Sequence, residues 1–316
     1  MSKVIDLRLD FPLTVEEIVE TLMFYVLNKE GRGVANYRQI FGPRMAANIG
    51  VEFDELEKMS QSLTPEKFEA FLLEGAGKIA VSLPEFEKEL DEAGIVWGAL
   101  ETPDNNRTAE FVSKLPGRVV GNALVDPRRG IMMAVRELER AVKELDFKCV
   151  YISPYRVGSR ADDPKFYPIY AKAIELDIPV FIYSTMNYRT DRPMDIGRPI
   201  YLDKVGMDFP EMKIIASCGG WPWVNEMVGV ARRHPNVYID TSIHRPRHLA
   251  KPGSGWEMLM QFGNTLLQDR VVFGSGSRDL GMPIREIVRE MWELPLKDEV
   301  KEKWMYKNAV RLFNRE

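Results

Sequence analysis

The sequence has 316 residues, a length that suits one large barrel or two smaller domains. Hydrophobic residues make up 45% and charged residues 28%, an ordinary composition for a globular protein. The net charge of -4 gives no general attraction to nucleic acid, and the two cysteines can build neither a disulfide framework nor a zinc ribbon.

Eight short runs rich in apolar and β-branched residues recur along the chain. They are mostly apolar rather than cleanly alternating, which is typical of strands covered on both faces in a parallel sheet. In chain order they are VIDLRLDF (4–11), IVWGALET (95–102), VVGNALVD (119–126), KCVYISPY (148–155), PVFIYST (179–185), KIIASCG (213–219), VYIDTS (237–242) and VVFGSGS (271–277).

Stretches with helical spacing separate these runs. The clearest are MAVRELERAVKEL (133–145), FYPIYAKAIELD (166–177) and WVNEMVGVARRHP (223–235). Eight strands that alternate with helices over about 300 residues predict an α/β fold of the (β/α)8 TIM-barrel type. A doubly wound sheet is the structural alternative, but no glycine fingerprint follows a strand to favour nucleotide binding.

The first two predicted strands are about 80 residues apart, so the segment between them is not a simple crossover. It contains helix start signals, among them Thr14 as an N-cap and a capping box formed by Ser82 and Glu85. We expect a single barrel domain over residues 1–316, with residues 12–80 as a helical insertion at the barrel mouth.

The N-terminal stretch MSKVIDLRLDFP carries charges where a signal peptide needs an apolar core. No apolar run reaches the roughly 18 residues that are needed to cross a bilayer. Both features predict a cytoplasmic protein that does not enter a membrane. Cys149 and Cys218 lie in strand-like runs and are predicted to be reduced, buried thiols.

The carboxyl ends of the strands are where a (β/α)8 barrel places its active site. Six of the eight predicted strands, all except the second and third, supply candidate residues at this end. The resulting set is Arg8, Asp10 and Phe11; Ser153, Tyr155 and Arg156; Tyr183, Ser184 and Thr185; Ser217, Cys218 and Trp221; Asp240, Ser242, His244 and His248; Ser275, Gly276, Ser277, Arg278 and Asp279.

Several longer motifs carry a family resemblance over both ends of the chain and most of its second half. They are VIDLRLDFP, DDPKFYPIYAKAIELDIPVFIYST, FPEMKIIASCGGWPW, HPNVYIDTS, DRVVFGSGS and KNAVRLFN. With these motifs the chain resembles the amidohydrolase superfamily, and within it the branch of the aminocarboxymuconate-semialdehyde decarboxylase-like and resorcylate decarboxylase-like enzymes. The resemblance implies a TIM barrel, hydrolysis or decarboxylation, and a homodimer.

The resemblance also implies a catalytic metal, but the expected ligand positions carry other residues. The family's opening Asp-x-His-x-His has Arg8 and Asp10 in place of its two histidines. The ligand histidine of the fifth strand is replaced by Tyr183, the histidine of the sixth by Ser217, and the aspartate of the eighth by Gly276. We therefore predict no metal and no cofactor at this site.

One alternative is a metal site rebuilt from other residues. His244 and His248 are four residues apart and lie near Cys218 only if their loop folds inward. The intervening proline disfavours a regular helix that would present both imidazoles on one face. His234 precedes the seventh strand, at the opposite end of the barrel. Loop histidines, or a substrate contact from His244, are the preferred interpretation.

The first functional hypothesis is a metal-independent hydrolase or carbon–carbon lyase that acts on a small carboxylate, aromatic or cyclic. Arg8 and Asp10 share one face of the first strand, where they pair with each other or where Arg8 replaces the metal cation with Asp10 orienting it. The predicted catalytic residues are Arg8, Asp10, Tyr183 and Ser217, with Asp10 or Tyr183 exchanging protons with the substrate. The predicted substrate-binding residues are Arg278, Arg156, Ser153, Trp221 and His244. Cys218 as a nucleophile is a weaker option, because its sequence surroundings offer no histidine partner.

The second hypothesis is a catalytically inactive homologue, which serves as a ligand-binding protein or as the partner subunit of an active, metal-containing paralogue. The loss of every expected metal position supports it. The first hypothesis is preferred because the replacing side chains are mostly polar, and burying polar groups without partners costs about 1–3 kcal/mol each. The expected partners are a small-molecule carboxylate and either a second copy of the chain or that paralogue.

Overall fold

The computed structural model describes residues 3–28, 33 and 35–315. Within these residues, eight parallel strands form one sheet in the order β1 to β8. The strands are β1 (Val4–Leu9), β2 (Ile95–Leu100), β3 (Val119–Leu124), β4 (Cys149–Ile152), β5 (Val180–Tyr183), β6 (Ile214–Ser217), β7 (Val237–Asp240) and β8 (Val271–Val272). The predicted TIM barrel is therefore confirmed, although each strand ends earlier than its predicted run.

Helices connect the strands throughout. The α-helices are α1 (Val15–Leu27), α2 (Ala35–Asn48), α3 (Phe53–Ser62), α4 (Pro65–Ile79), α5 (Leu83–Glu92), α6 (Asn105–Lys114), α7 (Ile131–Lys143), α8 (Pro154–Val157), α9 (Tyr167–Glu175), α10 (Tyr201–Asp208), α11 (Val224–Arg233), α12 (Pro246–Leu249), α13 (Glu257–Gly263), α14 (Ser277–Leu280), α15 (Ile284–Trp292), α16 (Asp298–Glu302) and α17 (Asn308–Phe313). Short 3₁₀ turns cover Pro127–Arg129, Pro164–Phe166 and Met194–Gly197, and a π-helical turn covers Lys303–Lys307.

The barrel closes between its first and last strands by a few specific hydrogen bonds. The amide of Leu7 donates to the carbonyl of Phe273 at 2.9 Å, and the amide of Gly276 donates to the carbonyl of Arg8 at 3.0 Å. The carboxylate of Asp6 adds a side-chain link, because its Oδ1 accepts from the amide of Ser275 at 2.8 Å. This seam brings the ends of β1 and β8 together at the barrel mouth.

The strands are buried on both faces, as their continuous apolar runs predict. The inward-facing side chains fill the barrel rather than leaving a pore. The buried cluster includes Ile5, Leu7, Trp97, Val120, Tyr151, Phe181, Ile215 and Val272. Cys149 and Cys218 belong to the same cluster as free, buried thiols, as predicted.

The chain divides into two compact units, residues 12–88 with 188–194 as one and the remaining described residues as the other. The smaller unit contains α1 to α4 around its own core, with Leu22, Leu56 and Leu72 fully buried. Most of the described residues between 12 and 80 are helical, whereas an insertion at the barrel mouth stays a prediction. Among the described residues, none of the helices combines the length and apolar character that crossing a bilayer requires.

The local start signals are found where the sequence places them. Thr14 is the N-cap of α1 and exchanges hydrogen bonds with Glu17, which completes a capping box. The amide of Ser82 donates to Glu85 Oε2 at 2.8 Å, and the amide of Glu85 donates back to Ser82 Oγ at 3.4 Å at the start of α5. These caps satisfy orphan amides of the first helical turn.

Candidate active site

Arg8 projects from the carboxyl end of β1 into the barrel mouth. Its Nη1 donates a hydrogen bond to Oε1 of Glu101, which follows β2. Its guanidinium carbon lies 5.1 Å from the centre of the Tyr151 ring, a cation–π geometry. The Arg8 side chain is 20% exposed. Burial alone would lower the pKa of Arg8, but Glu101, Tyr151, Cys218 and Asp279 together outweigh it and raise that pKa well above its ordinary value.

Glu101 is the residue that the sequence analysis missed. Its second oxygen accepts a hydrogen bond from Asn122 Nδ2 at 2.8 Å, so β3 orients the carboxylate that holds Arg8. The side chain of Glu101 is 18% exposed. A signal was present, because Glu101 directly follows an apolar strand in ALETP, but the predicted site residues came only from the other six strands.

The expected pairing of Arg8 with Asp10 is wrong. Asp10 Oδ2 instead accepts from the backbone amide of Arg278 at 2.8 Å and from the hydroxyl of Ser277 at 3.5 Å. Asp10 therefore caps the short helix α14, and the partner of Arg8 comes from the neighbouring strand. The Arg278 guanidinium donates to the carbonyl of Phe11 and lies 4.6 Å from the centre of its ring.

Three tyrosines lie on or directly after β4 and β5, and one of them contacts the cation. Tyr151 lies under Arg8, and the rings of Tyr155 and Tyr183 are in contact with centroids 4.5 Å apart. The Tyr183 hydroxyl donates to the carbonyl of Met186 at 2.6 Å. Arg156 is exposed, and its Nε donates to the Tyr155 hydroxyl at 3.2 Å. The rings supply apolar contact area beside a fixed positive charge.

Ser217 is fully buried and bonded to Asp240, which ends β7. Asp240 Oδ2 accepts from the hydroxyls of Ser217 and Ser242 at 3.0 and 2.7 Å and from the Cys218 amide at 3.3 Å. Its Oδ1 accepts from the amide of Ser242 at 2.8 Å. Burial raises the pKa of Asp240, while these hydrogen bonds and Arg8 oppose the rise. The network ties the ends of β6 and β7 together.

Cys218 does not have the character of a nucleophile. Burial raises the pKa of its thiol to about 12, with Arg8 acting in the opposite direction. A thiol with that pKa is protonated at neutral pH, and the thiolate is the reactive form. Its backbone φ is +68°, in the left-handed region, and Ile243 after β7 shares this unusual conformation with φ of +59°. Strained non-glycine residues of this kind concentrate at functional sites.

The loops after β6 and β7 meet in an aromatic cluster. The His244 ring centre lies 4.8 Å from that of Trp256 and 6.4 Å from that of Trp221. His244 Nε2 is 3.2 Å from the carbonyl oxygen of Cys218, so this nitrogen carries the proton and donates it. Burial lowers the pKa of His244 to about 4, and the imidazole is neutral at neutral pH.

Two of the predicted substrate-binding residues, Trp221 and Ser153, differ in their partners. Trp221 Nε1 donates to the carbonyl of Ser254 at 3.3 Å, and the Trp221 carbonyl accepts from Thr185 Oγ1 at 2.6 Å. Ser153 is buried at the N-terminus of α8, and its hydroxyl has no hydrogen-bond partner among the described residues. Substrate contact by either residue stays a prediction.

Asp6 lies two residues before Arg8 on β1, and its carboxyl group is buried at the seam between β1 and β8. Burial raises its pKa to about 6, against hydrogen bonds from Ser275 and the Arg8 amide. Below pH 3.8 the carboxyl is protonated in both folded and unfolded chains, whereas between pH 3.8 and about 6 only the folded chain retains the proton. The stability from Asp6 is therefore lost as pH rises through this window.

We expect Asp6→Asn to remove this pH dependence. The asparagine oxygen can still accept both amide hydrogen bonds but cannot ionise, so the difference in unfolding free energy between wild type and variant should change by about 2 kcal/mol from pH 4 to pH 7. Urea denaturation at unit pH intervals measures it. The exposed Asp298→Asn serves as the control, and parallel curves for Asp6→Asn and wild type would contradict the prediction.

The metal that the family resemblance implies does not fit the residues at the mouth. Among residues 3–28, 33 and 35–315, no group of three or more His, Cys, Asp or Glu side chains is arranged to hold a metal ion. The rebuilt site of His244, His248 and Cys218 is not formed either. A Cβ on Gly276, the position of the family's aspartate, would lie 2.6 Å from Ile243 Cγ2. That space is filled by a branched side chain.

Comparison with known protein families gives the class of this barrel. The amidohydrolase family model matches residues 82–315, well over half of the chain. The protein therefore belongs to the amidohydrolase family, as its motifs suggested.

Solved structures resemble the chain over nearly its whole length. An uncharacterized TIM-barrel protein from Bordetella bronchiseptica is 23% identical with a TM-score of 0.70, covering 99% of this chain and 98% of that chain. The 5-carboxyvanillate decarboxylase from Sphingomonas paucimobilis is 16% identical with a TM-score of 0.64, covering 100% of both chains. The 5-carboxyvanillate decarboxylase from Novosphingobium aromaticivorans, complexed with manganese and 4-hydroxy-3-methoxy-5-nitrobenzoic acid, is 17% identical with a TM-score of 0.63, covering 99% of this chain and 96% of that chain. At these identities the likeness establishes the shared fold.

Proposed function

We propose that this protein is a carbon–carbon lyase that removes the carboxylate from a small aromatic acid without a divalent metal. The observation that carries the proposal is the Arg8 guanidinium, a fixed cation at the mouth held by Glu101 and stacked on Tyr151. Membership of the amidohydrolase family and the fold shared with two 5-carboxyvanillate decarboxylases support this reaction class.

Arg8 binds the substrate carboxylate in this proposal. Within the described residues, Glu101 alone accepts a side-chain hydrogen bond from Arg8, and it does so through one nitrogen. The other N–H groups of the planar guanidinium are therefore open to a ligand carboxylate, which matches their spacing. Because the pair is only partly exposed, the attraction is stronger than it would be in water.

Tyr155 and Tyr183 contact the aromatic ring of the substrate. Their rings touch each other beside Tyr151, so a flat ligand held by Arg8 has an apolar surface to pack against. The Tyr183 hydroxyl is oriented by its bond to Met186, which fixes the ring as a wall. This role replaces the proton exchange that the sequence analysis assigned to Tyr183.

Glu101 transfers the proton, the role that the sequence analysis gave to Asp10. The Glu101 carboxylate takes a proton from solvent and passes it to the ring carbon that bears the substrate carboxylate. The bond between that carbon and the carboxylate breaks, its electron pair returns to the ring, and carbon dioxide leaves. Glu101 is then again the carboxylate that pairs with Arg8. It suits this role because it lies beside the guanidinium that holds the substrate and is itself partly exposed to the solvent that supplies the proton.

The direct test is carbon dioxide release from a panel of hydroxybenzoates, with 2-hydroxybenzoate as the first compound, before and after dialysis against EDTA. Activity that survives EDTA and disappears in Glu101→Gln is the expected result. Arg285→Gln is the control, since Arg285 pairs with Glu92 on the exposed surface.

Each other outcome has a distinct meaning. Activity that requires added manganese would overturn the metal-free mechanism. Binding without turnover would favour the alternative of a catalytically inactive, ligand-binding homologue. Absence of binding by every carboxylate tested would overturn the proposal as a whole. A homodimer, or a heteromer with a metal-containing paralogue, stays a prediction, and so does the cytoplasmic location.

A further inference from the structure

The loop after β7 that contains His244 has little regular secondary structure. It passes through Ile243 in the left-handed conformation, and the helix that follows, α12, has only four residues. A β-branched residue with positive φ is held in place by its surroundings and not by its own preference. The placement of His244 therefore depends on contacts from outside the loop.

The strongest such contact is an ion pair between Arg245 and Glu290 of α15. Arg245 Nε and Nη2 both donate to Glu290, at 2.9 and 2.6 Å to Oε1, and Nε also reaches Oε2 at 3.1 Å. The Glu290 side chain is only 3% exposed, whereas that of Arg245 is 29% exposed. The amide of Arg247 donates to Glu290 Oε2 at 3.3 Å. One buried carboxylate thus accepts hydrogen bonds from two residues that follow β7.

Glu290 has no place in the chemistry proposed above, yet it is a charged residue buried on a barrel helix. Burial alone would raise its pKa, but the bonds from Arg245 and Arg247 lower it, so the carboxylate is ionised. A buried charge is retained only where its partners are well placed. Arg245 directly follows His244 in the chain. The bond between the Arg245 guanidinium and Glu290 of α15 therefore also restricts the position of the His244 backbone.

We propose that Glu290, through Arg245, is a positioning residue that holds His244 between Trp221 and Trp256 in the wall of the candidate active site. That this wall contacts the substrate rests on the proposed function, whereas the placement of His244 does not. Removal of the Arg245–Glu290 pair frees the loop to move, and the His244 ring then leaves its aromatic neighbours for water.

The test is an NMR titration of the imidazoles, which needs no ligand. The protein has three histidines, so each is resolved. Wild-type His244 should titrate with a pKa of about 4, because its packing against the two tryptophans removes most of the ring from water. None of the groups next to the ring titrates in the same pH range, since Trp221 and Trp256 are uncharged and the Cys218 thiol, with a pKa of about 12, stays protonated. In Glu290→Gln we expect the pKa of His244 to rise by one unit or more.

The controls separate positioning from loss of the fold. Glu286→Gln removes an exposed carboxylate one turn earlier on the same helix, where it pairs with Arg289, and should leave His244 unchanged. His234, buried and paired with Asp203, is the internal reference for an intact barrel. Arg245→Gln is the second variant and should shift His244 like Glu290→Gln. An unchanged His244 pKa in both variants, with the His234 signal intact, would overturn the proposal.

Discussion

Arg8→Gln is expected to weaken the binding of 2-hydroxybenzoate at least about 100-fold, which corresponds to ~3 kcal/mol. Arg8 is the fixed cation of the mouth, and glutamine retains a hydrogen-bonding group of similar reach without the charge. The variant also leaves Glu101 without its cation, so a negative group then faces the incoming carboxylate. Isothermal titration calorimetry on wild type and variant measures the change.

A double variant separates these two causes. Arg8→Gln with Glu101→Gln removes both charges, so the repulsion is gone but the attraction is not restored. We expect binding in the double variant to remain weak while its unfolding free energy recovers relative to Arg8→Gln, because no unpaired charge remains near the interior. Arg285→Gln should behave as wild type. Full recovery of binding in the double variant would show that Arg8 serves only to neutralise Glu101.

Gly276→Asp should lower the free energy of unfolding by about 2–4 kcal/mol without creating a metal site. Gly276 has φ of +57°, and a Cβ there would lie 2.6 Å from Ile243 Cγ2 and 3.1 Å from the Ile243 amide nitrogen. Ile243 itself has φ of +59°, so its backbone cannot withdraw freely. Urea denaturation measures the loss, and the melting temperature with and without manganese measures metal binding.

Gly253→Asp is the matched control for this variant. Gly253 has φ of +76°, but a Cβ there meets nothing within 4 Å, so the variant carries the backbone strain alone. Ile243→Ala combined with Gly276→Asp should recover part of the lost stability, because the methyl group nearest the new side chain is gone. A stable Gly276→Asp protein that binds one equivalent of manganese would mean that Ile243 yields and that the site retains its metal-binding capacity.

The eight strands and the helix starts could be predicted because their signals are local. An apolar run of β-branched residues identifies a buried strand without reference to the rest of the chain, and Ser82 with Glu85 forms its capping box within four residues. The barrel followed from the alternation of the elements. The carboxyl ends of the strands are then the end at which a barrel of this type is expected to carry its site.

The pairing within the site could not be predicted in the same way. Arg8 and Asp10 are two residues apart and share a face, but Glu101 is 93 residues from Arg8 and reaches it only because β2 lies beside β1. The Asp10 carboxylate meets the amide of Arg278, 268 residues away, at the start of α14. The nearest charge in sequence is therefore not the partner, since the sheet order and the position of a short helix decide the contacts.

The seam between β1 and β8 has a consequence for the synthesis of the chain. Asp6 and Ser275 are 269 residues apart, so the hydrogen bond between them cannot form until Ser275 has left the ribosome. Until then the Asp6 carboxylate lacks the Ser275 amide, and the apolar edge of β1 lacks its final neighbour. Long-range contacts of this kind form slowly, and unpaired strand edges attract other chains. The barrel thus closes late in the synthesis of the chain. Until then the exposed edge of β1 is the segment at which we expect a chaperone to bind.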